Sequence, residues 1–501
     1  MRHSRISFPN TWRERDVSRV EAGSRVQGWT NWATISQVLI ILWLGASAVA
    51  IGRLLYLVNV DSPSSIYRVA LLPLLLVLAM AMVAAFRLKR RYIPVLLLLA
   101  AAFVPFSLPT GTESRVVISL VLTIGFSAVW FVGSLVTQRR FAMAPSRVNK
   151  PLIAFSAAVV VSLGWGMLLR DPQLYVWKTF TVVQLASAVV MIMLPAALLM
   201  VADFANDLRL LKVMVALMLA AGVLGLVKQF MSLPLPVNTD GLFIMWIVAL
   251  SMGMALFDRA LATWLRASLL ALAAAWVYWG FVLNISWVAG WLPVLFCIAV
   301  VVFLWSRPLF VLMAVALAIL LLTHQDYYFH TVVHNEEVQS LYTRLAAWAV
   351  NWSVAKGHLL FGTGPAGYAV YYVTYFPNEA MASHNNFLDI LSETGLLGFG
   401  LLLWFFVEVL RLGMRLVAHL RGRRDFSEAL AVSTLAGSLG ALIMMGFGDW
   451  VIPFAYTQTI AGFDHAVYTW IFMGAMVALG KLALPAWGPR SGSAARSSGA
   501  R

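Results

Sequence analysis

The sequence predicts an all-α, polytopic integral membrane protein of about fourteen transmembrane helices with one long outer loop. Three observations lead there. The 501 residues are 61% hydrophobic and 11% charged, whereas soluble chains run at about 45–50% and about 25%. The apolar residues fall in blocks long enough to cross a hydrocarbon core, about 20 residues each with a range of about 17–25. The basic residues fall between those blocks on alternate sides, as the positive-inside rule asks of a correctly counted bundle.

Residues 1–31 form a polar, Arg-rich tail, and the apolar run from Trp32 is long enough to span the bilayer, unlike a cleaved signal peptide. Spans then begin near 33, 66, 92, 116, 151, 179, 210, 241, 266, 288, 308, 386, 429 and 466. The third and eleventh are short, and the third carries Pro94, Pro105 and Pro109. With the N-terminus inside, 28 of the 36 Lys and Arg residues fall in inner segments. A miscounted helix would scramble that alternation.

The expected layout is a cytoplasmic basic tail (1–31), eleven spans (32–323), a large outer loop (324–383), three further spans (384–484) and a disordered cytoplasmic tail (485–501). The net charge of +15, which in a soluble chain would suggest nucleic acid, is taken up by orientation, so no nucleic-acid partner is expected. Cys297 is the single cysteine and lies in an apolar block, which leaves no intramolecular disulfide and no cysteine metal site.

An outer connection of about sixty residues in an otherwise short-looped bundle is usually functional or disordered. In this one Leu341, Leu345, Trp348 and Trp352 recur at helical spacing, so it reads as an ordered cap. Five of the eight histidines fall in it or at its end: His324, His330, His334, His358 and His384. His330 and His334 are four apart, a spacing that can hold a metal, but only Glu336 and Glu337 offer a third ligand and no metal is expected.

His384 differs because it opens a span. On a helix, Asn385, Asp389, Ser392 and Glu393 below it form one polar stripe. Ionisable groups inside a span are costly; they mark functional sites or hold helices together by hydrogen bonds. A histidine at the outer boundary, above carboxylates, suits general-base work near neutral pH. Among the few outer basic residues, Arg344 and Lys356 lie in the histidine-bearing loop, and Arg170 and Lys228 at helix ends. These four are candidate anion ligands. Gly362, Gly364 and Gly367 spell G-x-G-x-x-G, but no strand precedes them, so the dinucleotide reading fails. The glycines are expected to turn the backbone tightly over a bound ligand.

The run His384-Asn385-x-x-Leu388-x-x-x-x-Glu393-x-Gly395-x-x-Gly398 resembles the signature of the O-antigen ligase and O-antigen polymerase superfamily. Arg344-Leu345-x-x-Trp348, followed by Leu360-Phe361-Gly362-x-Gly364, is similar to that family's other conserved stretch. The resemblance covers about residues 340–400. It implies a fold like the polyprenyl-phosphate-dependent (GT-C-like) glycosyltransferases, in a bacterial inner membrane, with a periplasmic active site. It further implies inverting, metal-independent transfer of an undecaprenyl-diphosphate-linked oligosaccharide to a sugar hydroxyl on an acceptor glycan or lipid A core. His384 would activate that hydroxyl, and Arg344 would hold the donor diphosphate and stabilise it as leaving group. Asn385, Asp389, Glu393, Gly362, Gly364, Arg170, Lys228 and Lys356 are the expected donor- or sugar-binding residues. No cofactor is implied. Membrane lipids, a chain-length regulator and a flippase are the implied partners.

The sequence departs from the family at one point. A second arginine usually stands in a Ser-Arg-Gly sequence opening a helix before the loop; the nearest counterpart here is Ser286-Trp287-Val288. Arg307 follows a serine but falls on the inner face. Either Arg170 or Lys228 takes the role, or the helix count is off by one near 290–323. Polymerisation of a surface polysaccharide (O-antigen, capsule or exopolysaccharide) is favoured over ligation, because fourteen spans exceed the expectation for a ligase. Protein O-glycosylation would bring a sizeable soluble C-terminal region, against about twenty residues after the last span. A transporter or flippase would show inverted repeats and midplane charges in both halves, whereas no repeat is seen and the polar residues cluster at one outer face.

Overall fold

The computed structural model describes residues 90–104, 107–109, 115–134, 143–284, 288–326, 341–379, 381–458 and 460–484. The first two predicted spans, both tails, His330, His334 and Ser286-Trp287 lie outside these residues. The described chain is mostly helical. Its helices are α1 (Ile93–Phe103), α2 (Ile118–Gly133), α3 (Asn149–Leu168), α4 (Phe180–Phe204), α5 (Leu208–Met231), α6 (Phe243–Phe257) and α7 (Thr263–Tyr278). They continue with α8 (Val288–Trp305), α9 (Arg307–Thr323), α10 (Leu341–Gly357), α11 (Tyr368–Tyr375), α12 (Asn386–Leu420), α13 (Phe426–Met444) and α14 (Phe463–Ala483).

Apart from α10 and α11, each helix begins within three residues of a predicted span. Seven are long and apolar enough to cross a membrane: α3, α4, α5, α7 with its continuation to Leu283, α12, α13 and α14. Ile118–Phe131, α6, Gly290–Trp305 and α9 are apolar but shorter. The chain is thus a polytopic helical membrane protein. α1 has only 11 residues. Pro94 sits in its first turn, where no intrahelical N–H bond is lost, and the following Pro105 cannot extend it.

One element departs from the all-α expectation. β1 (Ser107–Pro109) pairs antiparallel with β2 (Arg115–Val117) in a two-stranded ribbon, Ser107 opposite Val117. Pro109 suits extended backbone and would interrupt a helix across this stretch.

The core gathers around α6, α13 and α14. Nearly every residue of α6 is buried, and small residues let its bulky ones approach a neighbouring backbone. A Cβ on Gly437 of α13 would lie 2.4 Å from the Trp246 ring. That ring stacks on Phe472 at 5.0 Å and donates its N–H to Thr469 at 3.0 Å. Such small-residue contacts replace the hydrophobic effect, which does not drive helix association within lipid.

Above this core sits a smaller one. Leu174, Phe180, Val350, Val354, Tyr368, Val370, Tyr371 and Phe454 bury one another, docking α10 and α11 onto the α3–α4 connection and the segment after α13.

α12 is the element that makes the site. Its helix breaks at Gly395, with φ 65° and ψ −171°, a region that essentially only glycine enters. A break at membrane depth leaves backbone groups unpaired unless protein supplies partners. The stretch 359–364 supplies them. Leu396 and Leu397 donate N–H to the Leu359 and Leu360 carbonyls at 2.6 and 3.3 Å, and Thr363 and Gly364 donate to the Ser392 and Glu393 carbonyls at 2.9 Å. The glycine run is therefore an insert that closes a broken helix. A Cβ at Gly362, φ 71°, would lie 2.3 Å from the Glu393 carbonyl carbon.

Candidate active site

His384 stands just before α12 with φ 46°, a left-handed conformation that is uncommon outside glycine and costs on the order of 1–3 kcal/mol. Its neighbours hold it there. Asn385 donates its backbone N–H to Ser383 Oγ at 3.1 Å. Asn385 Oδ1 caps α12, accepting from the N–H groups of Phe387 and Leu388 at 3.0 and 3.3 Å. The outward-facing imidazole presents Nδ1 to Asp449 Oδ1 at 3.6 Å. Asp449 is 2% exposed by side chain against 19% for His384, and its other oxygen accepts from the Thr457 hydroxyl.

Asp449 lies on the loop after α13, and two further contacts fasten that loop. Asn386 donates to the Ile452 carbonyl at 2.6 Å and accepts from the Val451 and Ile452 N–H groups at 3.2 Å. Arg344 donates to the Phe447 carbonyl at 2.9 Å. His384 and Arg344 therefore meet the same loop two residues apart.

Arg344, Trp348 and Asn351 recur at i, i+4 and i+7 on one face of α10, and each reaches this region. Trp348 donates to the Ser383 carbonyl at 2.7 Å. Asn351 donates to Asp389 Oδ1 at 3.2 Å, and Ser383 Oγ donates to the same oxygen at 2.6 Å. The stripe below His384 faces inward, with Asp389, Ser392 and Glu393 all buried. Asp389 Oδ2, Asn351 Oδ1, Glu393 Oε1, Asp449 Oδ1 and the Tyr456 hydroxyl are buried without a hydrogen-bond partner. Unused polar capacity at that density is uncommon in a protein interior and asks for an explanation.

Residues 252–403 match the O-Antigen ligase family model. The likeness first drawn from the His384 and Arg344 motifs is borne out over these residues. No curated protein matches the chain. The family region holds His384, Arg344, Lys356, Gly362, Gly364, Asn385, Asp389 and Glu393, whereas Asp449, Arg170 and Lys228 lie outside it.

The remaining expected residues divide. Arg170 comes to the far side of the glycine insert. Gly166, one turn before it, would place a Cβ 2.2 Å from the Thr363 carbonyl oxygen. Arg170 itself donates to Gln184 at 2.7 Å and lies over the Phe180 ring at 4.8 Å. Burial draws its guanidinium below the ordinary value, with Tyr371 opposing. Beside it Asp171 accepts from the Tyr375 hydroxyl at 2.5 Å, a bond that holds the Asp171 carboxyl below its usual range. His358 packs on Tyr371 at 4.5 Å, and burial lowers its pKa. Lys228 donates to the Val237 carbonyl at 2.8 Å, away from both groups, and Lys356 is exposed.

Asp449 and Asn386 are the residues that sequence reasoning missed. Asn386 adjoined the motif but carried no spacing signal. Asp449 is separated from His384 by a helical hairpin, and its only local mark is an acidic residue just beyond a span.

Proposed function

We propose that the protein is a glycosyltransferase that moves a glycan from a polyprenyl diphosphate to a sugar hydroxyl at its outer face. The observation that carries this reading is the His384–Asp449 pair, set on the loop that also anchors Arg344. Asp449 faces Nδ1, which leaves Nε2 to take the acceptor's proton. The acceptor oxygen then bonds to the anomeric carbon as the bond from that carbon to the diphosphate oxygen breaks. The proton ends on His384, and Asp449 balances the resulting imidazolium. Arg344 meets the charge that develops on the departing diphosphate, for which its planar fork is suited. Arg170, half-buried and without a carboxylate partner among the described residues, is the candidate second cation toward the donor.

The fourteen spans expected from the sequence support polymerisation of a surface polysaccharide, and the likeness to the O-Antigen ligase family supports ligation. Giving the purified protein a lipid-linked repeat alone separates them. Longer chains on the same lipid mean polymerisation; no change until a lipid A core acceptor is added means ligation. His384→Ala should insert and fold normally yet make neither product. Full activity in that variant overturns the reading.

A further inference from the structure

At the end of the bundle away from His384 lies a cavity of about 420 Å³, lined by Arg90, Arg91, Ser134, Asp203, Asn206 and Lys481 among others. Two membrane-length helices fix its place. α4 begins at Phe180, against Arg170, and ends at Asp203 and Phe204. α14 begins next to His465, which packs on Trp450 beside Asp449, and carries Lys481 in its last turn. At about 1.5 Å per residue, the cavity lies roughly 25–35 Å from the candidate active site. It sits where both of these membrane-length helices end.

The inner wall is charge-balanced. Lys481 Nζ donates to the Ala202 and Asp203 carbonyls at 3.1 Å and to Asn206 Oδ1 at 2.5 Å. The Asp203 carboxylate accepts from the Trp130 indole and the Ala144 N–H. The rim carries more positive charge than this wall offsets: the Asp203 carboxylate faces both Lys481 and Arg90. Arg91 stacks on Tyr92 at 4.7 Å and donates to its hydroxyl at 2.6 Å. Neither Arg91 nor Arg90 forms an ion pair among the described residues. Two guanidiniums over a cavity of ligand size, where two membrane-length helices end, match a phosphate oxygen set.

We propose that this cavity binds the phosphate of an anionic membrane lipid, on the face opposite the active site. Because it is built from residues remote from His384, it stands whether or not the transferase reading holds.

The test is native mass spectrometry of the purified protein titrated with phosphatidylglycerol, phosphatidylcholine or inorganic phosphate. The protein is expected to retain phosphatidylglycerol ahead of phosphatidylcholine. A variant with Arg90→Ala and Arg91→Ala should lose about thirtyfold in phosphatidylglycerol affinity, taking about 1 kcal/mol per basic side chain near a membrane surface and tenfold per about 1.4 kcal/mol. The charge-keeping variant with Arg90→Lys and Arg91→Lys should retain most of the binding, which separates loss of charge from loss of fold. Equal retention by the wild type and the alanine variant overturns the proposal. Binding of inorganic phosphate as tight as that of the lipid overturns its lipid assignment.

Discussion

Replacing Asp449 by Asn isolates the charge that faces His384. The shape is kept, and an oxygen remains for the Thr457 hydroxyl. Two unit charges 3.6 Å apart interact by about 4–5 kcal/mol at an effective dielectric constant of about 20. Water reaches the His384 side, which is 19% exposed against 2% for Asp449, so roughly half of that energy acts on the imidazolium formed during transfer. About 2–3 kcal/mol, at 1.36 kcal/mol per tenfold, becomes a loss of about 30- to 200-fold in kcat. KM should change little, because the pair does not hold the donor. Thr457→Val keeps the charge and removes one hydrogen bond to the carboxylate; that bond is present before and during transfer, so kcat should fall by less than in Asp449→Asn. The assay is product formation from a lipid-linked glycan by purified protein, alongside circular dichroism and thermal unfolding. Wild-type kcat in a folded Asp449→Asn protein would refute the role given to Asp449 and leave His384 without an orienting partner.

Three further outcomes are expected. Arg344→Lys should keep the fold but lose transfer by at least about tenfold, since a point charge cannot reproduce a guanidinium fork; unchanged activity would reduce Arg344 to a loop contact. Gly395→Ala should destabilise the protein by at least about 2 kcal/mol, read as lowered thermal stability. Its backbone conformation is strained for any side chain, and the new Cβ would lie 2.4 Å from the Leu360 carbonyl oxygen. His358 should make the α10–α11 cap sensitive to acid. Burial lowers its pKa in the folded state, Asp171 opposing only in part, so its contribution is intact above the unfolded value of about 6.5. It is lost as pH falls through the lower folded value, because the unfolded chain then binds the proton more readily. The protection of residues 341–379 against hydrogen exchange, relative to the intrinsic rate at each pH, should fall as pH drops below about 6.5, and His358→Phe should flatten that fall; an unchanged profile would contradict the burial argument.

Much of the membrane architecture was legible because it depends on local quantities. A span is set by a run of apolar side chains and bounded by prolines and charges, so helix starts along α1–α9 and α12–α14 fall close to their predicted positions. The π-helical continuation of α7 and the β1–β2 ribbon were not legible, because each departs from a simple apolar run within a few residues. His384 and Arg344 were legible as candidates, since a histidine above a buried acidic stripe and an arginine in an outer loop conflict with their surroundings in the chain itself.

The sequence alone marked His384 and Arg344 as candidates; only the tertiary structure decided what they face. Asp449 becomes a partner of His384 because Asn386 fastens the start of α12 to the loop after α13, a contact across a helical hairpin that no periodicity encodes. The glycine run shows the same division. Read along the chain, it is a flexible turn suited to a ligand. In three dimensions it supplies the hydrogen bonds that the break at Gly395 removes from α12, because within a bilayer an interrupted backbone must be completed by protein. Local patterning sets helices and charges, while pairing between distant segments is set by which polar groups burial leaves without water.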